Sequence, residues 1–211
     1  MILITACFAI ESRWIARRPD VRVVRTAIGE RSRETMESLG SETSDASLLI
    51  AAGFCGGIDP RMQRGDLFLA RFVRHRGEEI RVDRELLGQA RHALNDGSAG
   101  PHVGLCESVD HVLRPDEKRA LAADGVTAVD MESGPLARWA ANRGIPFIAL
   151  RVVLDPVGTH LPFSTDRPFS ISALRHPVAA ARAARHAIAA GRVLGTAVDA
   201  LIDTFAGRPD A

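Results

Sequence analysis

The sequence predicts an α/β fold, a sheet of buried strands covered by helices on both faces. Three observations carry this. Residues 2–7, 48–52 and 147–154 are short, nearly continuous apolar runs, as strands buried on both faces require. Between such runs lie segments with helical spacing, as at 83–94, where Leu86, Leu87, Ala90 and Leu94 share a stripe. Two strand-like runs end in acids, at Asp130-Met131-Glu132 and at Asp155, where α/β sheets hold their ligands.

Taken in order, 2–7 reads as the first strand and 11–17 as a short helix, with 21–27 a second strand and 30–39 a polar helix. The run 48–52 is too short and too apolar for anything but a central strand, and it is expected to break at Gly53. Gly65-Asp66 opens a strand over 67–73, 83–94 is helical, and 103–113 is strand-like. Pro115-Asp116-Glu117 is a good helix start, with proline in the first turn and acids complementing the helix dipole. After the two acid-tipped strands, a proline-rich loop runs over 156–168 and an Ala-rich helix over 177–205. Strands alternating with helices and no internal repeat or linker indicate a single domain spanning 1–211.

A chain of 211 residues, 46% hydrophobic and 25% charged, can bury a sizeable core. Its net charge of +1 gives no basic field for nucleic acid or an anionic membrane. No stretch approaches the ~20 apolar residues of a membrane span. The apolar opening residues lack a basic leader and a small-residue cleavage site, so they are expected to form the first buried strand of a cytoplasmic protein. Cys7, Cys55 and Cys106 are odd in number and widely spaced, and the His residues are scattered. No metal site and no cofactor is expected from them.

Gly53-Phe54-Cys55-Gly56-Gly57 reads as a tight turn that lets backbone approach a ligand. It is neither a phosphate-binding P-loop nor a dinucleotide fingerprint, which excludes a nucleotide-dependent oxidoreductase. Glu132 stands at a helix start, where Ser133 can cap and Pro135 sits in the first turn. It reads either as a complement to the helix dipole or as an acceptor for a vicinal diol. Asp155, after the apolar residues Val152, Val153 and Leu154, is expected to be desolvated, which favours its protonated form and suits a general acid. It reads equally as a strand-ending turn residue, and Glu11 as a surface helix residue.

The order of these pieces resembles the nucleoside phosphorylase and nucleosidase family, which includes methylthioadenosine/S-adenosylhomocysteine nucleosidases. The resemblance rests on Glu11 after the first strand, Gly-Phe-Cys-Gly-Gly followed by Arg64-Gly65-Asp66, Ala-Val-Asp-Met-Glu-Ser and Arg-Val-Val-Leu-Asp, over about 1–165. The Asp-Met-Glu-Ser wording and Leu161-Pro162 resemble most the hopanoid-biosynthesis-associated phosphorylase branch. The family implies a mixed, twisted sheet flanked by helices and assembly as a homodimer. By position, it implies that Asp155 protonates or hydrogen-bonds N7 of a purine and that Glu11 activates or positions the attacking water. Glu132 would bind the ribose 2′- and 3′-hydroxyls and Met131 would pack on the sugar. Gly53 and Phe54 would line the site, with Val112 and Leu113 near the base wall.

These roles suit the chemistry. Breaking an N-glycosidic bond leaves positive charge on the sugar, which a carboxylate favours, and negative charge on the base, which a proton donor neutralises. The sequence departs from the family at Phe54, where relatives carry Ser or Thr, and at Ala51, where phosphorylases place a phosphate-binding Arg. Backbone N–H groups, Arg13 or Arg74 are left as anion donors, so water is favoured as nucleophile while phosphate stays open. Leu154 replaces the usual Ser before the acid. With Phe54 and Val112 it suggests an apolar site suited to a lipid-linked nucleoside such as adenosylhopane. The alternatives are a methylthioadenosine/S-adenosylhomocysteine-type nucleosidase and a non-catalytic nucleoside-binding module.

Overall fold

Eight strands form one mixed sheet in the computed structural model, which describes residues 1–95, 100–159 and 177–206. Strand β1 (Ile2–Ala6) lies between β2 (Val21–Arg25) and β3 (Leu48–Gly57), parallel to both. The sheet continues through β4 (Leu67–His75), β5 (Glu78–Arg81), β6 (His102–Ser108), β7 (Val126–Asp130) and β8 (Phe147–Asp155). β3 pairs with β8 and β7, β8 with β4, β4 with β6, and β6 with β7. Those five pairings close on themselves, so β3, β8, β4, β6 and β7 form a circuit from which β2-β1 and β5 project. The expected mixed sheet flanked by helices is present.

The central strands have no polar alternation because both faces are covered: every residue of β3 is buried except Phe54. β3 is longer than its apolar run predicts. It continues through Gly53 to Gly57 instead of turning, with an irregularity between Cys55 and Gly56. The glycines are there because side chains from neighbouring elements cross the strand. A Cβ on Gly53 would stand 2.7 Å from Arg151 Nη1, and one on Gly57 3.3 Å from both Met62 and Val153.

The helices are α1 (Ala9–Ser12), α2 (Arg31–Ser38), α3 (Arg84–Ala93), α4 (Pro115–Ala123), α5 (Ser133–Ala141) and α6 (Pro177–Phe205). Asp83 caps α3 by accepting the Leu86 N–H at 2.8 Å. Glu117 accepts the Arg114 N–H at 2.8 Å, so α4 starts where its sequence predicts. Helix α6 packs on β8, α1 and α3. Gly191 and Gly195 bring it against the backbone of Ile10 and Trp14, which fixes the segment that carries Glu11. Among the described residues no helix is long and apolar enough to cross a membrane. Of the proline-rich loop over 156–168, residues 160–168 lie outside the described residues.

Candidate active site

The ends of β1, β2, β3 and β8 and the start of α5 meet in a small pocket. Thr5, Cys7, Glu11, Thr26, Gly53, Glu132 and Arg151 line it, with apolar contributions from Ala6, Ala52 and Leu136.

Glu11 is 3% exposed. Its Oε2 accepts the N–H groups of Cys7 at 2.9 Å and Phe8 at 2.8 Å, and its Oε1 accepts that of Phe54 at 3.0 Å. Burial pushes its carboxyl above the usual range, opposed by these N–H groups and the charge of Arg151. Glu132 precedes the first turn of α5, and its Oε1 accepts the Gly29 N–H at 3.4 Å. Burial, then the nearby Asp130, pushes Glu132 up to about 7. Burial likewise pushes the Cys7 thiol up to about 12, so it stays protonated and is no nucleophile at neutral pH.

Beneath these acids lies a buried polar network. Arg151, in β8 and 2% exposed, donates through Nε to Asp130 Oδ2 at 2.6 Å. Its two terminal nitrogens donate to the Ala51 carbonyl at 3.2 Å and to Ser133 Oγ at 2.8 Å. Asp130 also accepts from Ser108 Oγ at 2.6 Å and from the Ser133 hydroxyl and N–H, so Asp130 rather than Ser133 caps α5. Ser108 Oγ in turn accepts the Gly134 N–H at 2.7 Å. Burial alone would raise Asp130, but the Arg151 charge and the serine hydroxyls outweigh it and hold the carboxyl below its ordinary value. The network ties β6, β7, β8 and α5 together at the floor of the pocket. The Thr5 and Thr26 hydroxyls, also in the pocket lining, are buried and have no partner among the described residues.

Residues 14–190 match the sequence pattern of the Phosphorylase superfamily. The chain belongs to this superfamily. A 5′-methylthioadenosine/S-adenosylhomocysteine nucleosidase from Marinomonas sp. (strain MWYL1) is 24% identical over 176 residues, 73% of this chain and 76% of that protein. The crystal structure of a nucleosidase of the same name from Campylobacter jejuni superimposes with a TM-score of 0.75 at 15% identity, over 97% of this chain and 99% of the other. Futalosine hydrolase of Helicobacter pylori superimposes with a TM-score of 0.74 at 13% identity, over 96% and 97% of the two chains.

In this superfamily member, Glu11, Glu132 and Gly53 come together in one pocket, although they lie on α1, before α5 and in β3. Phe54 contributes its backbone N–H to Glu11, while Met131 is half-buried beside Glu132. Asp155 pairs with Gly56, further along the β3–β8 ladder than Gly53, and it is not part of the small pocket's lining. Its carboxylate is ion-paired to Lys118 of α4. Burial raises Asp155 above its ordinary value even though Lys118 pulls it down. Val112 and Leu113 lie past the end of β6, and Leu113 packs on Ile58, Val126 and Val129. Arg13 is exposed beside the Trp14 ring and Arg74 pairs with Glu107, so the cation at the pocket is Arg151.

Arg151, Asp130, Lys118 and the two threonines received no role from the sequence. One signal was available for Arg151, a charge in the middle of an apolar strand that has to find a partner. Lys118 carried none, since a lysine in a first helical turn reads as solvent-facing.

Proposed function

We propose that this protein cleaves the N-glycosidic bond of a purine nucleoside, with water as the attacking group. The observation that carries the reading is the meeting of Glu11 and Glu132 with Arg151 in one buried pocket. Relatives named as nucleosidases, in sequence and in fold, support it.

Glu132, ionised above about 7, accepts the ribose 2′- and 3′-hydroxyls and faces the charge that develops on the sugar. Met131 packs against the ribose. Glu11 holds the attacking water, its orientation fixed by three backbone N–H groups. Gly53 and the Phe54 N–H form the strand edge beside that water. Asp155 serves the base, giving a proton to N7 as the bond breaks, with Val112 and Leu113 near the base wall.

Water suits this pocket better than phosphate. A phosphate would face two carboxylates, and three of the five N–H groups of Arg151 are already committed to Asp130, Ala51 and Ser133. The unpartnered Thr5 and Thr26 hydroxyls can hold a water but bring no charge.

The group on the ribose 5′ carbon is apolar in this reading. Phe8, next to the Glu11 cage, is 49% exposed, and Phe54 and Leu154 are half-buried. This favours a lipid-linked nucleoside such as adenosylhopane over 5′-methylthioadenosine or S-adenosylhomocysteine. The test is adenine release from all three, with and without phosphate. Phosphate-independent release that is fastest from the lipid nucleoside is expected. Release that requires phosphate overturns the choice of water, and adenine binding without release from any of them overturns the catalytic reading in favour of a binding module.

A further inference from the structure

Lys118 is the only lysine in the chain: of the 27 Lys and Arg residues, all the others are arginine. It is also 1% exposed. Its Nζ donates to the Asp155 main-chain carbonyl at 2.8 Å and to Asp155 Oδ2. Strand β3 gives it room, since a Cβ on Gly56 would stand 3.1 Å from Nζ and 3.2 Å from Cε. Burying an ammonium and a carboxylate together costs desolvation that a well-packed apolar pair avoids, so the pair needs a reason beyond stability. An arginine would hold the carboxylate through a two-pronged hydrogen bond and keep its charge at every accessible pH. A lysine adds one property, a proton that it can give up.

We propose that Lys118 is the positioning residue for departure of the base: it holds Asp155 at the end of β8 and restores the proton that Asp155 gives away. The proposal rests on the glycosidic-bond-cleaving reading above. As the C1′–N bond breaks, its electron pair stays with the base. The Lys118 ammonium gives a proton to the Asp155 carboxylate it is paired with, and Asp155 passes a proton to a ring nitrogen of the base. The amine left behind regains a proton from water when the base leaves. Two other groups face Asp155. Arg64, which donates to the Leu154 carbonyl at 2.8 Å, precedes β4 and does not deprotonate. Cys55 of β3 is a buried thiol whose pKa is raised by desolvation. Lys118 is therefore the neighbour able to supply the proton.

The experiment compares two ribosides in the protein and its Lys118→Met variant. One is 5′-methylthioadenosine, whose base must be protonated as it leaves. The other is 4-nitrophenyl β-D-ribofuranoside, whose nitrophenolate leaves without a proton. The variant is expected to lose about 100-fold in kcat/KM on the nucleoside and less than about fivefold on the nitrophenyl riboside. Equal losses on both substrates overturn the role of Lys118 and leave the proposed reaction standing. Turnover of neither substrate by the wild-type protein overturns both. Should the variant fail to fold, the single Nζ resonance of 15N-lysine-labelled wild-type protein decides. It is expected to shift when adenine binds, and a resonance indifferent to bound adenine overturns the proposal.

Discussion

Arg151 of β8 is the direct ladder partner of Gly53 of β3, and its Nη1 lies over the glycine's Cα so closely that a Cβ would come within 2.7 Å of it. The same Cβ would stand 3.1 Å from Glu11 Oε1. One missing side chain thus makes room for the cation and the acid of the pocket together. Gly53→Ala is expected to displace both groups, with a loss of about 1–3 kcal/mol in stability from overpacking. Activity should fall far more than stability, by at least about 100-fold in kcat/KM, because a small misplacement of a catalytic group is costly. Steady-state kinetics beside a urea titration measure the two effects, and near-parental kcat/KM would remove Glu11 and Arg151 from the mechanism.

The Arg151–Asp130 pair makes a different prediction, one about stability. Both side chains are buried, 2% and 0% exposed, so removing one strands the charge of the other. Arg151→Met alone is expected to cost about 3–5 kcal/mol. The double variant Arg151→Met with Asp130→Asn should be more stable than that single variant, since no lone charge is left. Urea denaturation of the three proteins tests this, and a double variant no better than Arg151→Met would contradict it.

The strands were legible where both their faces are apolar, and the acids because strand ends punctuate those runs. What stayed illegible was set by partners on other elements. Gly53, Gly56 and Gly57 read as a turn because glycine signals turns, yet they belong to a strand crossed by Arg151, Lys118, Met62 and Val153. Strand β5 follows a tight Arg76-Gly77 turn with φ of 51° and 78°, and Arg-Gly is not the usual hairpin signal. The run 103–113 is cut short at Ser108, whose hydroxyl bonds to Asp130 while the Val109 N–H bonds to the Asp130 carbonyl at 2.8 Å. For Gly53, Gly56 and Ser108 the deciding residues are Arg151, Lys118 and Asp130, far along the chain and beyond the reach of local pattern.

The raised Glu132 fixes the sign of two pH effects. In the proposed reaction ribose binding needs its ionised form, so kcat/KM is expected to rise as pH climbs through about 7. Stability runs the other way. The folded protein holds this proton more tightly than the unfolded chain, so the contribution is complete below the ordinary value of 4.5 and is lost as pH rises through about 7. The slope is at most about 1.4 kcal/mol per pH unit for one group. Glu132→Gln should flatten both profiles, as read by kinetics and thermal melts between about pH 5 and 8. A melting temperature that climbs over this window in the parent would refute the assignment.

Glu11 offers the sharpest separation of structure from chemistry. Its two oxygens accept from three N–H groups, Oε2 from Cys7 and Phe8 and Oε1 from Phe54. Glutamine has one acceptor oxygen, so Glu11→Gln turns an amide N–H₂ toward at least one of these donors. With the oxygen kept on Cys7 and Phe8, the Phe54 N–H is left unpaired at the pocket edge, a loss of about 1–3 kcal/mol. The variant also loses the charge proposed to hold the attacking water, and turnover is expected to drop by about 100-fold or more. Amide hydrogen exchange separates the two: faster exchange at Phe54 with unchanged protection at Cys7 and Phe8 is the expected pattern. Unchanged exchange at all three positions would mean that Glu11 does not organise this strand edge.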